Sequence, residues 1–307
     1  MKETNISEVI EEIKKLKEEK DALVLAHYYQ SLEVQKAADF CGDSFELAKK
    51  AKASDKRNIV FCGVKFMAES AKILNPDKRV FLPRHDAGCP MADMVTPEDI
   101  LKHRAEHPEA AVVCYINSSA ASKAVSDVCV TSSNAVKIAG RLPQKEIIFV
   151  PDKNLGAFVA KYFPDKKFYL HQGWCPTHKN LTAADVLAAK REYPDAPFAV
   201  HPECEDEVLA LADFIGSTSE ILRFSRETKA ETVIIGTEIG VVERLTEECP
   251  DKEIILLHEK LVCPNMKKTG IGDLLSTLRD FSGEVFMTEE EMDAARRPLE
   301  KMLELGR

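Results

Sequence analysis

The stretch LHQGWCPTHKN, Leu170–Asn180, sets a Cys-Pro pair a few residues after the apolar run KFYL. Proline fixes its own φ and lacks an N–H, so the strand cannot continue through it. The same pair recurs in AGCPMAD (Ala87–Asp93) and LVCPNMK (Leu261–Lys267). Cys89 to Cys175 is 86 residues and Cys175 to Cys263 is 88. A period of that length is a repeated domain rather than a solenoid unit, and it decides the fold.

Other landmarks keep the step. The runs ALVLAHYYQ, AVVCYINSS and PFAVHPECE place His27, Tyr115 and His201 in register, and 17 residues after each comes a hydroxyl, Ser44, Ser132 or Thr218. The approaches DFCGDS, DVCVTS and DFIGST match. Further apolar runs (NIVFCG, EIIFVP, TVIIGT), the triplet PDK in all three copies, and RVFLP, KFYLH or EIILLH lead on to the cysteine. Each repeat reads strand, helix, short strand, helix, strand, helix, strand. Short continuous runs of Val, Ile, Leu and Phe belong to strands covered on both faces. Strands alternating with helices predict parallel sheets with right-handed crossovers. The expectation is therefore α/β: three homologous doubly wound, three-layer αβα domains around a pseudo-threefold axis. They divide as 1–106 with an N-terminal helix, 107–192, and 193–307 with a C-terminal helix. Ligands of such sheets bind beyond the carboxyl ends of the strands, where every landmark lies.

The formal charge of −9, from 42 basic and 51 acidic residues, offers no general attraction to nucleic acid or anionic lipid. No apolar run reaches membrane-spanning length and no signal peptide is visible, so a cytoplasmic protein without nucleic-acid or membrane partners is expected. Nine cysteines in a reducing compartment read as ligands or as core. Cys41, Cys62, Cys114, Cys129 and Cys249 lie in or beside apolar runs and read as core; the position of Cys41 and Cys129 is Ile215 in the third repeat. Cys204 is open. Cys89, Cys175 and Cys263 could also be buried core thiols. Their repeated place and following proline favour ligation of a shared centre. Three thiolates leave a four-iron cluster with one iron free of protein ligands, an iron able to act as a Lewis acid. A non-enzymatic iron–sulfur sensor and a structural zinc protein are the other classes considered. No helix-turn-helix or basic patch supports the first.

With its motifs AHYYQ, GDS, FCGVKFMAE, GCPMAD, CYINSSA, SDVCVTSSNA, VPDKNLG, GWCP, HPEC, GST, GTEIG and CPNMK, from about Leu23 to Asn265, the chain resembles the quinolinate synthase family of NAD biosynthesis. The resemblance implies a 4Fe-4S cluster on Cys89, Cys175 and Cys263. It also implies condensation of iminosuccinate with dihydroxyacetone phosphate to quinolinate, releasing phosphate and two waters. Aspartate oxidase would be the metabolic supplier of iminosuccinate. His27, Ser44, Tyr115, Asn117, Ser132, His201, Glu203 and Thr218 match the family's substrate-binding pattern, and Tyr29 its active-site tyrosine. For acid–base work Glu203 and His201 are the first candidates, then His27 and Tyr29. Ser44, Ser132 and Thr218 open helix-like runs, so their hydroxyls are read as N-caps as well as ligands for substrate anions. Lys65, Asp152, Asn154 and Glu238, after the third strands, are expected to shape the pocket, and Met67 to be wall or core.

Overall fold

The computed structural model describes residues 6–306. Three four-stranded sheets, all parallel, follow one another along the chain. The first comprises β1 (Ala22–His27), β2 (Phe40–Gly42), β3 (Asn58–Cys62) and β4 (Arg79–Phe81). The second comprises β5 (Ala111–Tyr115), β6 (Val128–Val130), β7 (Glu146–Val150) and β8 (Lys167–Leu170). The third comprises β9 (Phe198–Val200), β10 (Phe214–Ile215), β11 (Thr232–Gly236) and β12 (Glu253–Leu256). Each has the spatial order second, first, third, fourth, which is the α/β architecture expected from the repeat.

Two of the repeated sequence marks have a structural cause. The aspartate that opens DFCGDS, DVCVTS and DFIGST accepts the backbone N–H of the neighbouring first strand: Val24 to Asp39, Val112 to Asp127 and Phe198 to Asp213, each at 2.8 Å. It thereby sets the register of a two- or three-residue strand too short to set its own. The lysine of PDK reaches back to carbonyls at the end of an earlier helix: Lys78 to Ala51 and Ser54, Lys166 to Leu142 and Gln144, Lys252 to Ser225 and Thr228. A cation there satisfies orphan carbonyls and complements the helix dipole.

The central strands β1, β3, β5, β7, β9 and β11 are almost wholly buried, as sheets covered on both faces require. The helix Ile271–Asp280 follows the third repeat in sequence but packs on the helix Ile6–Glu19, burying Leu274 and Leu278 with Val9 and Ile13. The helix Glu289–Leu305, grouped by sequence position with the third repeat, packs on β6 and the helices Lys65–Leu74 and Ala120–Ala124. Its buried stripe of Met292, Ala295, Leu299 and Met302 joins the core shared by the first two sheets. These two helices tie the chain's end to its beginning. Among the described residues, no helix is long and apolar enough to cross a membrane.

Of the cysteines read as core, Cys62, Cys114 and Cys129 are buried, while Cys41 and Cys249 are half-buried. Cys204 is fully buried among Phe198, Val200 and Ile234, which makes it core.

Candidate active site

The carboxyl ends of all three sheets open on one cavity of about 870 Å³, its mouth included. His27, Tyr29, Ser44, Cys89, Tyr115, Asn117, Ser132, Cys175, His201, Glu203, Thr218 and Cys263 all line it. Val64, Phe66, Met67, Met91 and Met266 form its apolar wall.

The three cysteines reach it by one local device. A turn after each Cys-Pro leads into a 3₁₀ segment that begins three residues on: Ala92–Met94, His178–Asn180 and Met266–Lys268. The turn leaves amides beside each sulfur, those of Met91 and Ala92 near Cys89, of His178 near Cys175, and of Asn265 and Met266 near Cys263. Burial pushes the Cys89 thiol up to about 12 and the other two upward as well, while these amides pull the opposite way. Such thiols ionise readily only against a metal. Converging, half-buried sulfurs with backbone amides nearby and an apolar wall alongside fit an iron–sulfur group.

Glu203 lies at the centre of the polar side. Tyr115 Oη donates to its Oε1 at 2.6 Å, and His178 Nδ1 lies 2.7 Å from its Oε2. Burial works against ionisation of this carboxyl, but the facing His201, His178 and Tyr115 outweigh it and hold the group below the usual carboxylate range. A carboxylate only accepts, so Nδ1 of His178 is assigned the proton. Nε2 then accepts from Thr237 Oγ1 at 2.9 Å. Thr237 Oγ1 in turn lies 2.8 Å from Tyr29 Oη, which Thr218 Oγ1 approaches at 3.3 Å. One directed chain of hydrogen bonds thus runs from Thr218 through Tyr29, Thr237 and His178 to Glu203.

The two imidazoles at strand ends adopt the same turn. His27 Nδ1 accepts the N–H of Tyr29 at 3.1 Å, and His201 Nδ1 that of Glu203 at 3.4 Å. Each therefore carries its proton on Nε2 when neutral. Burial is the main cause that holds His27 down to about 3 and His201 to about 4. Both are uncharged donors at neutral pH. Asn117 adds a buried Oδ1 with no protein partner, the kind of orphan a bound molecule satisfies.

Two expectations are corrected. None of the three hydroxyls caps its helix. Asp43 caps Ser44–Ala53, its Oδ1 accepting from Phe45 and Glu46, and Ser217 caps Thr218–Glu227. The helix after Ser132 starts at Ala135, and Asn134 at its cap position turns its side chain to the N–H of Thr131. In the first and third repeats the cap stands one residue earlier and in the second no side chain caps the helix, so all three hydroxyls are left at the cavity wall. Nor do Lys65, Asp152, Asn154 and Glu238 line the cavity. Lys65 is exposed beside Glu69, and the other three are buried behind the wall, Asn154 donating to the Glu203 carbonyl at 3.0 Å. Met67 is a wall residue, as read. His178 and Thr237 were not singled out from sequence. His178 stood inside GWCPTHK and Thr237 inside GTEIG, and that was the available signal.

Cys175, His178 and Glu203 also offer three donor atoms within 4.8 Å of one another, a group able to hold a metal ion.

A search of family profiles matches residues 11–304 to the quinolinate synthetase A protein. A quinolinate synthase of Caldicellulosiruptor bescii is 51% identical over 302 residues, covering 98% of this chain and 100% of that protein. One of Geobacter metallireducens is 52% identical over 297 residues and one of Alkaliphilus metalliredigens 47% over 305, each covering at least 97% of both chains. With nearly its whole length inside such matches, the chain belongs to the quinolinate synthetase A protein family of enzymes.

Proposed function

We propose that this chain is a quinolinate synthase of NAD biosynthesis that condenses iminosuccinate with dihydroxyacetone phosphate. The products are quinolinate, one phosphate and two waters, which balance the two substrates atom for atom. Cys89, Cys175 and Cys263 would hold a 4Fe-4S cluster. The observation that carries the reading is the convergence of three repeat-equivalent thiols and a buried carboxylate relay on one cavity. When bound, a cluster with one iron free of protein ligands supplies a Lewis acid that binds carboxylate or hydroxyl oxygen.

A single zinc held by the three thiolates is disfavoured by distance. Sulfurs about 2.3 Å from one ion lie within roughly 4.6 Å of each other. Among the described residues, the donor set that close is Cys175, His178 and Glu203, not the three cysteines.

The chain's own residues divide the remaining work. His27 and His201 present uncharged Nε2–H donors, and Ser44, Ser132, Thr218 and Asn117 present polar groups, to the carboxylates and phosphate of the substrates. Uncharged donors select anions without the desolvation cost of a buried cation. Glu203 takes protons from carbon or nitrogen as the imine becomes an enamine and as water is lost. Tyr29 turns its O–H from Thr237 to a leaving hydroxyl and gives it a proton, which the proton taken from carbon by Glu203 replaces over the cycle. The apolar wall limits hydrolysis of the imine by excluding water. Its metabolic neighbour would be the aspartate oxidase that makes iminosuccinate, and its place the cytoplasm. Division into repeats at 1–106, 107–192 and 193–307 belongs to the same reading.

Anaerobic purification tests it. Four irons and four sulfides per chain are expected, with quinolinate formed from the two substrates and lost when Cys89, Cys175 or Cys263 is changed to serine. Colourless protein with stoichiometric zinc, or an iron-loaded protein without turnover, would refute it.

A further inference from the structure

Glu238 and Lys267 lie outside the cavity, yet they join two of its parts. Glu238 is fully buried and follows β11. Its Oε1 accepts the N–H of Cys263 at 3.2 Å and its Oε2 that of Gly240 at 2.7 Å. Lys267 Nζ lies 3.2 Å from Oε1 and 3.3 Å from Oε2, and it also donates to the carbonyl of Tyr29 at 2.9 Å. One ion pair thus holds the amide of the third-repeat cysteine and the carbonyl of the first-repeat tyrosine.

The repeat shows that the arrangement is built in. Asp152 follows β7 at the position Glu238 holds after β11 and is likewise fully buried, with the Cys175 amide near it. In the first repeat the equivalent is Val64, which has no carboxylate to offer. The cation is unique to the third copy, because four residues after the cysteine the second copy has Lys179, turned onto the Trp174 ring at 3.8 Å, and the first has Asp93. A buried ion pair adds little to stability compared with apolar packing, but it fixes geometry when each partner is fully hydrogen-bonded.

We propose that the Lys267–Glu238 pair is a positioning device that sets Cys263 relative to Tyr29, and so places the metal-bound face of the substrate against its proton donor. This rests on the ligand role of Cys263 and the acid–base role of Tyr29 argued above.

The test compares Lys267→Met, Glu238→Ala and Glu238→Gln in the full chain. Hydrogen exchange read by mass spectrometry should accelerate by roughly ten- to a hundredfold in the segments around both Tyr29 and Cys263 in the first two variants. Glu238→Gln, which keeps an acceptor for the amide, should restore protection near Cys263 but not near Tyr29. In protein loaded with iron and sulfide, Lys267→Met should lower kcat by about 10- to 100-fold with KM little changed, and alter the electron paramagnetic resonance signal of the reduced cluster. If exchange accelerates at one segment alone, or kcat and the signal match the wild type in a folded Lys267→Met protein, the inference is wrong. A wild type without iron or quinolinate formation refutes the proposed function instead, and the exchange comparison still decides the positioning. If Glu238→Ala fails to fold, Lys267→Met decides alone, since its side chain is partly exposed and its loss leaves no cavity in the core.

Discussion

His178 Nδ1 of the second repeat lies 2.7 Å from Glu203 Oε2 of the third, and both side chains are buried. The contact crosses a boundary between sheets, so part of what holds the carboxylate in its ionised, accepting state comes from outside its own repeat, beside the contribution of His201 within it. Glu203→Gln replaces an acceptor-only group with one that must donate. It also sets an amide against Tyr115 Oη or His178 Nδ1. Turnover should fall by about 10²- to 10⁴-fold, the usual worth of a general base, with a smaller change in KM. Steady-state kinetics of quinolinate formation checks it, and unaltered kcat would remove Glu203 from proton transfer.

Thr237 carries the relay between Tyr29 and His178. Thr237→Val preserves shape and removes the hydroxyl, which orphans Tyr29 Oη on one side and His178 Nε2 on the other. Two buried groups lose partners, each at about 1–3 kcal/mol. We expect reduced stability together with a kcat at least about tenfold lower, and Thr237→Ser should recover most of both. Urea unfolding and turnover measured on the same preparations separate the two effects.

The legibility of this site followed the repeat. His27, Tyr115 and His201, the hydroxyls and the cysteines were visible because each stands in register with two counterparts. His178 and Thr237 have no such counterparts. Three residues after the other cysteines stand Ala92 and Met266, and Thr237 corresponds to Gly63 and Pro151. A filter that works by symmetry finds the scaffold of the centre and misses what breaks the symmetry, which is where one copy acquires its own chemistry. The short strands β2, β6 and β10 were readable from the approach to the hydroxyl. The aspartate that fixes them was in view, but its role needed the cross-strand N–H. Neither C-terminal helix announced its packing partner, because an amphipathic face records burial and not what covers it.

The reassignment of the helix caps gives a paired prediction. Ser132→Ala removes a cavity hydroxyl that caps nothing, so KM should rise while the urea midpoint stays within error. Asp43→Ala removes a cap that accepts two N–H groups, and stability should fall by about 1 kcal/mol. Ser132→Ala with unaltered KM and kcat would dismiss the hydroxyl as a substrate ligand.

His27 and His201 make the fold acid-sensitive. Unfolded, each imidazole takes up a proton near its ordinary pKa of about 6.5. Folded, burial is the main cause that holds His27 to about 3 and His201 to about 4, against the opposing pull of Glu203. From about pH 6.5 down to 4 the unfolded chain binds more protons than the folded one, so stability is present above that window and lost as pH falls through it. A His27→Gln, His201→Gln double variant should show a shallower fall of the urea midpoint between pH 7 and 4.5 than the wild type. Parallel curves would mean that other groups cause the acid lability.

Gly240 of the third repeat packs closely against the backbone of the first. A Cβ there would lie 2.4 Å from the Tyr28 carbonyl oxygen and 3.0 Å from that of Gln30. Two effects compete in Gly240→Ala. Alanine is the better helix former by about 1 kcal/mol in a helix interior, and Gly240 is in the first turn of Ile239–Glu248, where the gain is smaller. Overpacking against backbone costs about 1–3 kcal/mol, and backbone cannot rotate away as a side chain can. The Gln35 amide bonded to the Tyr28 and Gln30 carbonyls leaves that loop little room to retreat. The steric effect wins, and the variant should be less stable by about 1–2 kcal/mol in urea unfolding. Because the loop carries Tyr29, kcat should fall more than KM rises. Equal stability and turnover in Gly240→Ala would show that the turn bearing Tyr29 is free to shift without affecting the reaction.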